Sequence, residues 1–196
     1  MITFALYADA TLTAPLATLT TQHLVDGTSD PVDAQIWIGS TAIGTQLRAD
    51  SNPGVDQLTL SIVRLVPVWA AAASIASGAK RRPTSSTGFV YQAGGAGTTD
   101  ATEPTWPTTI GDSVIDNDIT WTCIADEDVP AEYKLATTEA GLATATAGAP
   151  LNLGTTLLSG VGNAQPVWVR VENDDTNVQD QTQLAVQLNA AREDAV

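Results

Sequence analysis

Apolar and polar residues alternate along most of this chain with the two-residue period of a half-buried strand. Ile2–Ala8 sets Phe4 and Leu6 against Thr3, Ala5 and Tyr7. Leu16–Leu24 continues with Leu16, Thr18, Thr20 and Gln22 against Ala17, Leu19, Thr21 and His23. A turn at Gly27-Thr28-Ser29-Asp30-Pro31 leads to a strand at Ala34–Gly39 (A-Q-I-W-I-G). Ser51-Asn52-Pro53-Gly54 is a second turn, followed by Gln57–Val63, with Leu58, Leu60 and Ile62 inward and Thr59 and Ser61 outward. Four strands are therefore expected in the first third.

The same grammar returns near the end. Glu132–Thr137 reads as a strand, and Ala149-Pro150-Leu151 echoes Ala14-Pro15-Leu16. Leu151–Leu158 is the second strand, and Ser159-Gly160-Val161-Gly162-Asn163 a turn. Pro166–Val171 (P-V-W-V-R-V) matches A-Q-I-W-I-G, and Gln183–Leu188 matches the Gln57 strand, with gaps between the matches. Such agreement in order predicts a duplication. A four-stranded half cannot cover both faces, so the expected fold is all-β: a pseudo-duplicated eight-stranded β-sandwich, Ig- or jelly-roll-like, with a small inserted β-module. Trp37 and Trp168 would take pseudo-equivalent core or core-edge positions. Residues 1–66 and 126–196 would be the two halves, and 67–125 the insert. Thr137–Ala147 allows a helical turn at most, given Gly141 and the threonines.

The insert has its own vocabulary. Three of the five tryptophans, Trp69, Trp106 and Trp121, lie between 69 and 123 with Phe89 and Tyr91. Gly88–Ala93 reads as a strand leaving a turn, and Ile119–Ile124 as a second with Trp121 and Cys123 on one face. Pro104 and Pro107 hold Trp106 in an extended loop. The spacing T-G-F-V-Y-Q-A, T-T-D-A-T-E-P-T-W-P, W-T-C resembles a small repeat of tailed-phage tail and virion proteins, over about a quarter of the chain. More loosely it is similar to chitin- and cellulose-binding modules. The usual Gly-Asp-x-Val before the first hairpin is here Gly78-Ala79-Lys80-Arg81, and Gly-Asp-Ser-Val occurs only at 111–114.

That resemblance implies a non-enzymatic structural protein of a phage virion, made in the host cytoplasm. Its expected place is the tail tip, baseplate or fibre region, with the insert facing the host. Capsid decoration and a carbohydrate-binding module are the alternatives. Partners would be other virion proteins and further copies of the chain. A host-surface glycan would meet Trp106, Tyr91, Trp69 and Trp121, provided those rings are exposed. The alternative, favoured for all but Trp106, is that the rings form the mini-core of the insert, which leaves Trp106 in its Pro-bracketed loop as the strongest contact candidate.

Charge narrows the partners. Eight Lys and Arg against 22 Asp and Glu give −14, which argues against nucleic acid, because phosphate binding needs clustered cations. Lys80-Arg81-Arg82 is read as a solvated loop. No apolar run spans a bilayer; the longest, Leu65 to Ala76, is too short. Met1-Ile2-Thr3-Phe4 lacks the charged start of a secretory leader.

Catalytic chemistry finds little footing. The single histidine, His23, excludes a His-pair metal site, and neither a phosphate-binding loop nor a nucleophile elbow is present. Gly94-Gly95-Ala96-Gly97 follows a strand without opening a helix. The lone Cys123 alternates with its neighbours as a buried small residue. The acidic clusters Asp112-Asp116-Asp118 and Asn173-Asp174-Asp175 read as solvated turns without the order of a calcium loop. No enzyme, cofactor or metal is expected.

Overall fold

The computed structural model describes residues 2–24, 26–173, 177 and 182–196. Four strands open the chain: β1 (Ala5–Tyr7), β2 (Val32–Gly39), β3 (Thr45–Ala49) and β4 (Thr59–Arg64). Six more follow: β5 (Ser74–Ile75), β6 (Lys80–Arg81), β7 (Phe89–Ala93), β8 (Gly97–Thr98), β9 (Ser113–Asp116) and β10 (Ile119–Asp126). The last six are β11 (Tyr133–Ala136), β12 (Leu151–Asn152), β13 (Leu157–Leu158), β14 (Gln165–Val171), β15 (Leu184–Leu188) and β16 (Ala191–Ala195). Helical structure among the described residues is confined to 3-10 turns at Pro130–Glu132, Ala140–Ala143 and Val161–Asn163. The fold is all-β.

The chain divides into two compact units. One comprises Met1–Val63, Val129–Asp174 and Val186–Val196; the other comprises Arg64–Asp128 and Asp175–Ala185. The first unit is sandwich-like. Its four-stranded sheet has the order β1-β2-β14-β11, and two three-stranded sheets have the orders β12-β4-β15 and β13-β3-β16. Strands matched in the sequence lie side by side: β2 pairs with β14 antiparallel from Val32 opposite Val171 to Ile38 opposite Gln165. β1 flanks β2 and β11 flanks β14 on the outside, an arrangement with local two-fold character.

Alternation places the core. Ile36 and Ile38 of β2 and Val167, Val169 and Val171 of β14 are buried, as are Leu47 and Ala49 of β3 and Leu58, Leu60 and Ile62 in and beside β4. Burial of these faces removes their apolar area from water. Trp37 and Trp168, expected in the core or at its edge, are out of phase with these residues. Both are half-buried on the other face of the four-stranded sheet. On that face Arg170 holds Asp33 across the β2–β14 ladder with two bonds of 2.7 Å, and the guanidinium lowers the Asp33 carboxyl below its usual range.

Other expectations need correction. Residues 16–24 form no strand; the chain touches β1 through Leu16 N–H to Leu6 O at 2.9 Å and then runs free of any ladder. Its threonines and glutamine supply no apolar face to bury. Leu151–Leu158 is two fragments, because Gly154 takes φ +92° and turns the chain from β4 to β3. β3 and β16 were not anticipated at all: T-Q-L-R-A and A-R-E-D-A carry too few apolar residues to announce a strand.

A loop after β1 caps the outer face. Leu12, with φ +56° and 3% exposure, lies over Gly39, where a Cβ would come within 2.8 Å of a Leu12 methyl. Asp9 fixes this loop, accepting from the Thr11 hydroxyl, the Thr13 amide at 3.2 Å and the Ala14 amide at 2.6 Å. These donors, led by Thr11, bring the Asp9 carboxyl from the ordinary 3.8 down to about 2. A depressed carboxyl stabilises the fold above its unfolded pKa and loses that contribution as pH falls through the folded one. We therefore expect an NMR titration to place Asp9 near 2, with the loop loosening between 3.8 and that value. Leu47→Ala, at a side chain with 0% exposure, should destabilise the unit by about 2–5 kcal/mol in denaturant unfolding. Ile43→Ala, at 93% exposure, should change it by no more than about 0.5 kcal/mol.

Candidate functional site

The second unit holds every residue singled out as a contact candidate. A sheet of order β6-β7-β10-β9 and a small β5-β8 pair form its frame. Ile119, Trp121 and Cys123 alternate inward along β10, leaving Thr120 exposed and Thr122 half-buried on the outer face. Opposite them β7 contributes Tyr91 and Ala93, in register with Cys123 and Trp121. Trp69 is positioned by its amide, which donates to Arg82 O at 2.8 Å, and by the return bond from Arg82 N–H to Pro67 O at 3.1 Å. Trp69, Ile75, Tyr91, Ala93, Trp106, Ile119, Trp121 and Cys123 make one core cluster.

A single carboxylate organises this core. Asp116, at the end of β9 and 2% exposed, accepts the indole N–H groups of Trp69 at 2.8 Å and Trp121 at 2.9 Å on the same oxygen. Its other oxygen takes the Asp100 amide at 2.7 Å. Buried indoles require such an acceptor. Trp106 has a separate partner: its indole donates to Glu103 at 2.9 Å, and Glu103 also takes the Thr84 amide at 2.8 Å and the Thr84 hydroxyl. Burial works to raise the Glu103 carboxyl, but these donors outweigh it and hold the group low.

The four candidate rings are thus closed to solvent. Trp69 and Trp106 are 8% exposed, Tyr91 and Trp121 0%. Trp106, the strongest candidate for exposure, is buried, because the Pro-bracketed loop folds inward. Its ring sits 4.4 Å from Tyr91 at a 40° tilt and 5.9 Å from Trp121 edge-on. Tyr91 anchors the loop by donating its hydroxyl to Pro107 O at 2.6 Å. Tyr91, Trp106 and Trp121 pack on one another, and Trp69 is buried in the same cluster, so none of the four is open for sugar stacking.

The basic island is also engaged. Lys80–Arg81 is β6, paired with β7, and not a solvated loop. Arg82 Nε lies 3.9 Å from Glu127, whose side chain is 1% exposed and is bound by Arg64 and by the Ser86 hydroxyl. Gln183 lies beside this cluster, donating to Asp126 O at 2.6 Å and accepting from the Asp128 amide at 3.1 Å. These bonds tie Gln183, expected in the second β-half, to this unit. Sequence reading missed Asp116, Glu103 and Glu127 as the anchors. The available signal was the need of each buried indole for an acceptor, met for Trp106 only three residues upstream.

Nucleophilic chemistry is not poised here. Burial, followed by the charges of Asp126 and Asp112, pushes the Cys123 thiol up to about 11, far from a reactive thiolate. His23, in the other unit, has ring nitrogens 2.9 Å from Asp30 O and 3.0 Å from the Thr21 hydroxyl. Among the described residues no group of three or more His, Cys, Asp and Glu is placed to hold a metal ion, and no helix is long and apolar enough to cross a membrane. Asp174 and Asp175, part of the second acidic cluster, lie outside the described residues. Comparison with family models, curated proteins and solved structures found no match.

Removing the shared acceptor tests this construction. Asp116→Ala leaves two buried indole donors and an amide unpaired, and should destabilise the second unit by about 3 kcal/mol or more. Loss of the blue-shifted tryptophan emission at lower denaturant concentration reports it.

Proposed function

We propose that this chain is a non-enzymatic structural component of a tailed-phage virion. It would sit in the tail tip, baseplate or fibre region, with capsid decoration as the alternative position. The observation that carries the reading is the closed aromatic core of the second unit. The residues that resemble the phage repeat, Trp69, Tyr91, Trp106 and Trp121, form a rigid scaffold and leave no stacking platform. A scaffold of this kind recognises by shape and by strand edges, as an assembly protein does. The same burial weighs against the carbohydrate-binding reading, which needs at least one open ring face.

The reading is tested on purified particles. Mass spectrometry should find the chain at a fixed stoichiometry, and electron microscopy should resolve it at one repeated position on tail or capsid. Its absence from particles whose infected lysate contains it would overturn the proposal.

A further inference from the structure

We propose that β16 is the edge through which two copies of this chain pair, antiparallel, about a two-fold axis at Glu193. β16 ends the order β13-β3-β16, and no described residue pairs with its outer side. Its register on β3 runs from Ala191 opposite Ala49 to Ala195 opposite Thr45. The ladder continues at both ends, with Val196 N–H to Gly44 O and Asp50 N–H to Ala190 O, each 2.9 Å. Both bonds join even-numbered residues of β16 and its extensions. In an antiparallel ladder hydrogen-bonded and non-hydrogen-bonded pairs alternate, so Arg192 and Asp194 direct their backbone groups to β3. The N–H and C=O of Ala191, Glu193 and Ala195 point the other way.

A second copy laid on that edge with Glu193 at the axis brings Ala191 opposite the second copy's Ala195. The outward groups of both strands then meet as hydrogen-bonded pairs. Arg192 falls opposite the second copy's Asp194 in the closer, non-hydrogen-bonded pairing, and symmetry repeats the contact. Within one copy Arg192 already reaches Asp194 at 2.7 Å, and Arg48 reaches the same carboxylate at 2.7 Å. The second copy therefore extends a charge row that the sheet has begun. Three charges in five residues, with Glu193 on the inner face, guard this edge against an indiscriminate partner, but Arg192 and Asp194 on the outer face are opposite in sign and are complementary only to a two-fold-related copy. Local complementarity of this kind is what a chain at −14 requires to overcome its own repulsion at short range. The unfavourable contact is Glu193 against itself on the inner face. Each of these carboxylates is already held by the Thr3 amide at 2.6 Å and the Thr3 hydroxyl at 2.8 Å.

This pairing does not rest on the virion reading, since it is a property of the chain in solution. Sedimentation of the full chain from about 1 μM to about 0.1 mM should show a monomer–dimer equilibrium. Arg192→Asp and Asp194→Arg should each weaken it by about tenfold or more, by setting like charges across the axis. Mixing the two variants should restore association, because each then meets an opposite charge; misfolding would not be cured by mixing. Ala195→Pro removes an outward N–H and none donated to β3, and should give a monomer with an unchanged circular dichroism spectrum. Glu193→Gln should tighten the dimer. A wild-type monomer throughout that range would overturn the proposal. So would a dimer indifferent to these substitutions, or folded single variants that fail to associate when mixed.

Discussion

The ladder between β2 and β14 is the constraint on which the first unit depends. It joins positions as far apart as Asp33 and Arg170, separated by 137 residues, and every other strand of the four-stranded sheet is attached to one of these two. A contact of that range closes a very long loop before it returns any stabilisation. The apolar faces it aligns, Ile36 and Ile38 with Val167 and Val169, are what make the closure worthwhile. The ion pair of Arg170 and Asp33 contributes little energy at the surface. It does fix register, because a slip of one residue would turn every inward side chain outward.

The second unit solves a different problem. A unit this small buries too little surface to be held by aliphatic packing alone. Here large aromatic rings supply area, and two carboxylates, Asp116 and Glu103, satisfy the polar edge that each tryptophan brings with it. A third carboxylate, Glu127, sits between Arg64, Ser86 and Arg82. An acidic chain thus places some of its carboxylates at buried or half-buried positions, each matched to donors.

What could be read from the sequence follows from these physics. Strong alternation, as in A-Q-I-W-I-G, P-V-W-V-R-V and Q-L-T-L-S-I-V, marked strands that exist. The inward set on β10, Trp121 with Cys123, was legible because Thr120 and Thr122 separate them. Phase was harder: in I-W-I and V-W-V the tryptophan is the largest residue, yet the flanking β-branched pair takes the core. Polar strands such as β16 stayed invisible, since they are held by a neighbour's ladder and not by their own apolar content. Trp106 misled for a related reason. Two prolines fix an extended backbone but say nothing about which way the ring faces, and that was decided by Tyr91 and Glu103, distant or unremarked in the pattern.

The tryptophans are partitioned by this architecture. Trp69, Trp106 and Trp121 are sealed in the second unit beside carboxylates, while Trp37 and Trp168 stand half-buried on a sheet face of the first. Emission from the first three therefore belongs at the blue edge and emission from the other two further to the red. The native chain carries a separate optical reporter for each unit. A single unlabelled spectrum, resolved by wavelength, can follow the opening of one unit independently of the other.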